Sequence, residues 1–284
     1  MKEISHIRFR HPELIAQALM NRKPGSIPAN EKLMIIACDH PARGALGAGA
    51  NPFAMANREE LLERCMRALS RPGVNGFLGT ADLIEDLTLL GALEGKLVFG
   101  SMNRTGLQNS AFEIDDRFGC YTPEMIVKSN LDGGKTLTRI SFEDLNTPRV
   151  LEETARAVNQ LSAQQKITMI EPFISYWRNG QLINNLTPEA VIKSITIAAA
   201  LGACSAYTWL KLPCVQDMER VISSTTLPCL ILGGEVPNNP KETLDSWAKA
   251  IKLPNVYGLI IGRSLLFPPN GNIEEAVDKA VELL

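Results

Sequence analysis

The sequence predicts a (β/α)8 barrel, the TIM-barrel architecture of the α/β class, folded as a single domain. Apolar, β-rich runs alternate with stretches of helical period along the chain. Eight such runs can be counted, and no linker or low-complexity segment interrupts the 284 residues. A doubly wound open sheet is the competing architecture.

The first 30 residues include HPELIAQALMNRKPG and read as a helical extension, either covering the bottom of the barrel or forming a subunit contact. The strands then follow as LMIIAC (33–38), VNGFLG (74–79), KLVFGS (96–101), TLTRIS (136–141), ITMIEPFI (167–174), YTWLKLP (207–213), PCLILGG (228–234) and VYGLIIG (256–262). These near-continuous apolar runs are what strands buried on both faces require. Between them REELLERCMRALS, AFEIDDRFGC with TPEMIVKSN, PRVLEETARAVNQLSAQ, TPEAVIKSITIAAALG, MERVISS, KETLDSWAKAI and IEEAVDKAVELL mostly space apolar residues three and four apart. Thr122 and Thr187 each precede a proline at a first helical position, an N-cap signal.

Composition narrows the function. With 45% hydrophobic and 21% charged residues and a net charge of -2, the chain reads as an ordinary globular protein with no electrostatic footprint for nucleic acid or an anionic membrane. No apolar run reaches the ~18 residues that span a bilayer, and MKEISHIRFRHPEL has no apolar signal core, so a cytoplasmic location is expected. Six cysteines lie singly without a CxxC pair, as reduced structural thiols do.

In a barrel the chemistry sits where each strand ends and its loop begins. There the first strand delivers Asp39 and His40, the fourth Arg139, the fifth Glu171 and the sixth Lys211. A lysine in a strand end is more often a salt-bridge partner or a rim residue, and Asp or Glu there often caps a helix. Recurrence at one mouth favours chemistry. A desolvated lysine amine attacks a carbonyl carbon and forms a Schiff base, an electron sink that lets a carbon-carbon bond β to it break. Glu171 is placed to move the proton this cleavage needs, and Asp39 to orient Lys211 or hold substrate hydroxyls.

Gly233 and Gly234 end the seventh strand, and Gly262 and Arg263 end the eighth. The loops after those two strands are the usual phosphate site of a barrel, so a phosphorylated substrate is expected. The bland alternative is a tight turn and a surface charge. The glycines of ARGALGAGAN (42–51) lack the order of a dinucleotide fingerprint and read as a flexible lid loop.

Together, the Asp39–His40 pair, the Glu171 strand, the Lys211 strand, LGGEVPNNPKETLDSWAKAI and YGLIIGRSLLFPP resemble class I aldolases of the DeoC/LacD and DhnA-type fructose-bisphosphate aldolase group. The similarity runs from residue 31 and is most specific over residues 207–267. It implies that Lys211 forms the Schiff base and that Gly233, Gly234, Gly262 and Arg263 hold a dihydroxyacetone-phosphate-like moiety. Glu171 matches an acid/base position that is tyrosine in some members and glutamate in tagatose-bisphosphate aldolases. Members commonly carry a lysine on strand four; this reading finds Arg139 there, able to lower the Lys211 pKa or clamp an anion but not to shuttle protons.

The whole sequence resembles most a divergent branch found with inositol-catabolism proteins. That implies cleavage of 6-phospho-5-dehydro-2-deoxygluconate to dihydroxyacetone phosphate and malonate semialdehyde. The carboxylate would be received by Arg139, Arg104 or Arg43, with His40 also on the substrate. Fructose 1,6-bisphosphate, tagatose bisphosphate or sulfofructose 1-phosphate are the alternatives, and no cofactor is implied. Homo-oligomers are common among the resembling proteins. A zinc-dependent class II aldolase needs a histidine cluster, whereas only His6, His11 and His40 exist. A non-catalytic phosphosugar-binding barrel is the remaining rival.

Overall fold

The structure is a computed structural model that describes residues 2–29, 32–234, 236 and 240–284. Two helices, α1 (Lys2–Arg10) and α2 (Glu13–Asn21), precede the first strand. The chain then runs β1 (Leu33–Cys38), α3 (Arg58–Leu69), β2 (Gly76–Gly79), α4 (Ala81–Leu89), β3 (Leu97–Ser101), α5 (Pro123–Lys128), β4 (Gly133–Ile140), α6 (Thr147–Ala163) and β5 (Ile167–Arg178). It continues through β6 (Gln181–Asn184), α7 (Pro188–Ala199), β7 (Thr208–Pro213), α8 (Met218–Ile222), β8 (Cys229–Leu232), α9 (Pro240–Ala250), β9 (Val256–Ile261), α10 (Arg263–Leu266) and α11 (Ile273–Val281).

Eight parallel strands pair in the order β4-β3-β2-β1-β9-β8-β7-β5, and β4 also pairs with β5, which closes the cylinder. The expected TIM barrel is therefore the fold. The strands obey the two-residue pleat. Leu33, Ile35, Leu97, Phe99, Met169 and Ile260 point to the axis and form a dry inner core, while alternate residues such as Ile36 and Val98 pack outward under the helices. Thr122 and Thr187 accept hydrogen bonds from Met125 N and Ala190 N, as their N-cap positions require.

Three local expectations need correction. Residues 111–120 carry helix-like apolar spacing yet form turns in a long loop, because their acidic side chains are recruited across the barrel mouth. The α4 helix was not among the expected helices; its nine residues bury Leu83, Ile84 and Leu87. The fifth strand outruns the barrel by several residues and folds back antiparallel onto β6, with Ser175 opposite Asn184, so a hairpin stands beside the mouth.

At the opposite end, α2 packs against α4. Arg8 reaches Glu85 and Asp86 on α4, each at 2.7 Å. Arg22 is 1% exposed and donates to Lys96 O at 2.7 Å and Asn130 O at 2.6 Å, just before β3 and β4 begin. The extension thus ties the N-terminal ends of the strands. No described helix is long and apolar enough to cross a membrane. All six cysteines are free thiols, with Cys38, Cys65 and Cys229 buried and Cys204 exposed.

Candidate active site

The pleat that builds the inner core also aims the charges. On β7, Trp209 packs against that core and Lys211 follows two residues later on the same face. On β5, Met169 is succeeded by Glu171; on β1, Ala37 is succeeded by Asp39 just past the strand end. A layer of charge therefore sits directly on a layer of hydrocarbon. It faces a cavity of about 860 Å³ that opens at the C-terminal mouth of the barrel.

Within that layer Lys211 Nζ lies 3.1 Å from Glu171 Oε1. Glu171 Oε2 pairs closely with Lys135, which also lies 3.3 Å from Asp39 Oδ2. Asp39 in turn accepts from Ser101 Oγ at 2.9 Å and pairs closely with Arg104. Arg104 Nε donates to Ser101 Oγ at 2.8 Å. The result is an unbroken chain from Arg104 through Asp39, Lys135 and Glu171 to Lys211. Lys211 is 4% exposed and Lys135 2%.

Burial dominates the charge states. It lowers the Lys211 pKa, with Arg104 and Arg263 pushing the same way and Glu171 opposing. For Lys135 burial lowers the pKa well below its ordinary value, opposed by Glu171 and reinforced by Lys211, Arg104 and Arg43. Burial alone would raise Glu171, but the two ammonium groups overcome it and hold the carboxyl well below its ordinary range. Glu171 is therefore ionised. Arg104 is brought down to about 10 by burial. His40 falls well below the imidazole range through burial and the cationic Arg263 and Lys211, and its buried Nδ1 has no hydrogen-bond partner among the described residues.

Beside β8 and β9, Gly233, Gly234, Gly262 and Arg263 line the same cavity. Gly234 adopts φ +69°, which favours glycine. A Cβ on Gly262 would strike the Ala37 carbonyl oxygen and His40, so only glycine lets β9 and β1 meet there. Of the motif LGGEVPNNPK, Glu235 and residues 237–239 lie outside the described residues.

The structure brings Asp39, His40, Glu171, Lys211, Arg104, Arg139 and Arg263 to one cavity. It changes the reading of strand four. That strand begins at Gly133 rather than Thr136, so it does carry an inward lysine, Lys135, four residues before Arg139 and about 13 Å from it along the strand. Arg139 lies farther out, with its NH1 2.7 Å from Glu113 Oε1. Arg43 likewise pairs with Asp116 and donates to Asn103 O and Gly106 O, each at 2.8 Å. The segment around residues 42–51 is pinned through Arg43 and an Ala48–Asn51 bridge. Lys135 and Ser101 are the site residues that the sequence reading missed; reading back from Arg139 at every second residue, K-x-L-x-R, points to Lys135.

The sequence matches the Cgl0159-like family over residues 31–281. Among solved structures, Cgl0159 from Corynebacterium glutamicum (Brevibacterium flavum) is 49% identical, with a TM-score of 0.97 over 99% of this chain and 95% of that one. A Schiff-base-forming fructose-1,6-bisphosphate aldolase is similar in fold, with a TM-score of 0.67 at 17% identity over 95% of this chain and 99% of that one. An archaeal fructose 1,6-bisphosphate aldolase gives 0.66 at 18% identity over 95% and 98%. No curated protein matches.

Proposed function

The chain belongs to the Cgl0159-like family, and from that premise we propose that it is a class I aldolase that cleaves a phosphorylated ketose through a Schiff base on Lys211. The observation that carries the reading is a buried amine, Lys211, held 3.1 Å from an ionised carboxylate at the mouth of a barrel whose fold it shares with Schiff-base aldolases.

In this reading the unprotonated Lys211 amine adds to the ketone carbon, and the carbinolamine oxygen takes up a proton and leaves as water, giving an iminium. Glu171 takes the proton of the hydroxyl one carbon beyond the bond to be broken. That bond's electron pair moves into the iminium, the aldehyde departs, and the enamine left behind regains a proton before hydrolysis releases dihydroxyacetone phosphate. Lys135, between both carboxylates, holds Glu171 in place and keeps it ionised. Gly233, Gly234, Gly262 and Arg263 receive the phosphate, and His40 offers a neutral imidazole to the substrate.

The far end of the cavity bears Arg139, whose buried Nε has no hydrogen-bond partner among the described residues. This supports a substrate with a second anionic group. The inositol-associated 6-phospho-5-dehydro-2-deoxygluconate, yielding malonate semialdehyde, fits that pattern; so do fructose and tagatose 1,6-bisphosphates and sulfofructose 1-phosphate. A cleavage assay across phosphorylated ketoses, with and without a carboxylate at the far end, tests the proposal. Turnover of the carboxylated ketose above the others is expected; no turnover of any phosphoketose contradicts the aldolase reading.

A further inference from the structure

The buried network holds an imbalance. Among the described residues it sets three cationic side chains, Arg104, Lys135 and Lys211, against two carboxylates, Asp39 and Glu171. The pairs farther out, Arg43 with Asp116 and Arg139 with Glu113, are each balanced within themselves. An extra buried positive charge without a counter-ion costs several kcal/mol, and a lysine relieves that cost by losing its proton, whereas an arginine does not.

We infer that Arg104 is a positioning residue: paired with Asp39 and Ser101, it competes with Lys135 for Asp39, so that three cationic groups share two carboxylates and one of the two lysine amines is left without its proton. This departs from the sequence reading, which placed Arg104 on the substrate. Its Nε and NH2 are directed to Ser101 Oγ and Asp39 Oδ2, and it is 8% exposed. Arg104 acts on both amines in the same direction, with Lys211 and Lys135 each lowered by it after burial.

The groups facing Lys211 are Glu171 from β5, Lys135 from β4, Asp39 and His40 from the end of β1, Arg104 from the end of β3 and Arg263 from the end of β9, with Glu242 on α9 across the cavity. His40 is held neutral there, so it adds no charge to offset. Removing Arg104 would leave two ammonium groups facing two carboxylates, a balanced set in which both lysines keep their protons. The acid limb of any reaction needing the free amine would then move to higher pH.

The consequence for catalysis rests on the Schiff-base reading, but the test does not. Reductive methylation of the full chain with formaldehyde and cyanoborohydride needs only an unprotonated amine, and peptide mass spectrometry follows Lys211 and Lys135 separately against pH. In the unmodified protein one of the two should react with a midpoint well below the ordinary ~10.4 of lysine. Arg104→Met should raise that midpoint by about one pH unit. Ser101→Ala, which removes the bridging hydroxyl but no charge, should leave it in place. A merely structural role for Arg104 would lower the extent of reaction in Arg104→Met without moving the midpoint, and that result overturns the inference. If Arg104→Met fails to fold, ordinary midpoints for both lysines in the unmodified protein overturn it as well. A depressed midpoint with no borohydride-trapped ketose adduct leaves the charge inference standing and removes the aldolase reading instead.

Discussion

The two ends of the barrel both bury cations, with opposite outcomes. At the N-terminal end Arg22 donates to the carbonyl oxygens of Lys96 and Asn130 and pairs with Asp132, so its burial joins the extension to the bases of β3 and β4. At the C-terminal mouth Lys211 shares Glu171 with Lys135, and Asp39 is shared with Arg104. A cation with a carboxylate and two carbonyls of its own makes a structural tie, whereas shared carboxylates leave an amine with a lowered pKa. The same cost of desolvation is thus met at one end and expressed as a lowered lysine pKa at the other.

The comparison is broken most severely at its carboxylate. Glu171→Gln removes the base and is expected to cut turnover by about 10²- to 10⁴-fold while still giving a borohydride-trapped adduct. Near-normal cleavage by that variant takes Glu171 out of the proton-transfer role. Arg263→Ala should raise KM for a phosphorylated ketose by about 10- to 100-fold, with little change for its unphosphorylated analogue. An equal rise for both substrates places the phosphate elsewhere. Arg22→Ala sharpens the contrast from the other end. It should lose about 2–3 kcal/mol in urea unfolding, because buried carbonyls lose their donor, yet trap the adduct normally per folded molecule. A loss of trapping with no loss of stability would put the two ends on the same footing.

The strands were legible because strands buried on both faces read as continuous apolar runs, and the closed sheet followed from their number. Lys211, Glu171 and Asp39 were legible for a related reason, since a charge at the end of such a run has no place to go but the mouth. Lys135 was lost because GGK opens β4 with two glycines, which weaken a strand signal that tertiary packing then overrides. Tightly packed neighbours explain their presence: a Cβ on Gly133 would collide with Ile167 and one on Gly134 with Met102. The loop between β3 and α5 was misread for the opposite reason. AFEIDDRFGC has a helical spacing, but Glu113 and Asp116 find their partners on Arg139 and Arg43, far away in sequence. Nor does composition disclose that Arg104 turns back onto Ser101 and Asp39; that fact belongs to three dimensions alone.

The most direct measurement is borohydride reduction of the protein with dihydroxyacetone phosphate, followed by mass spectrometry of the peptide that holds the β7 lysine. The account predicts a reduced covalent adduct on Lys211 and none on Lys135. An unmodified Lys211, or an adduct on Lys135 in its place, would contradict it.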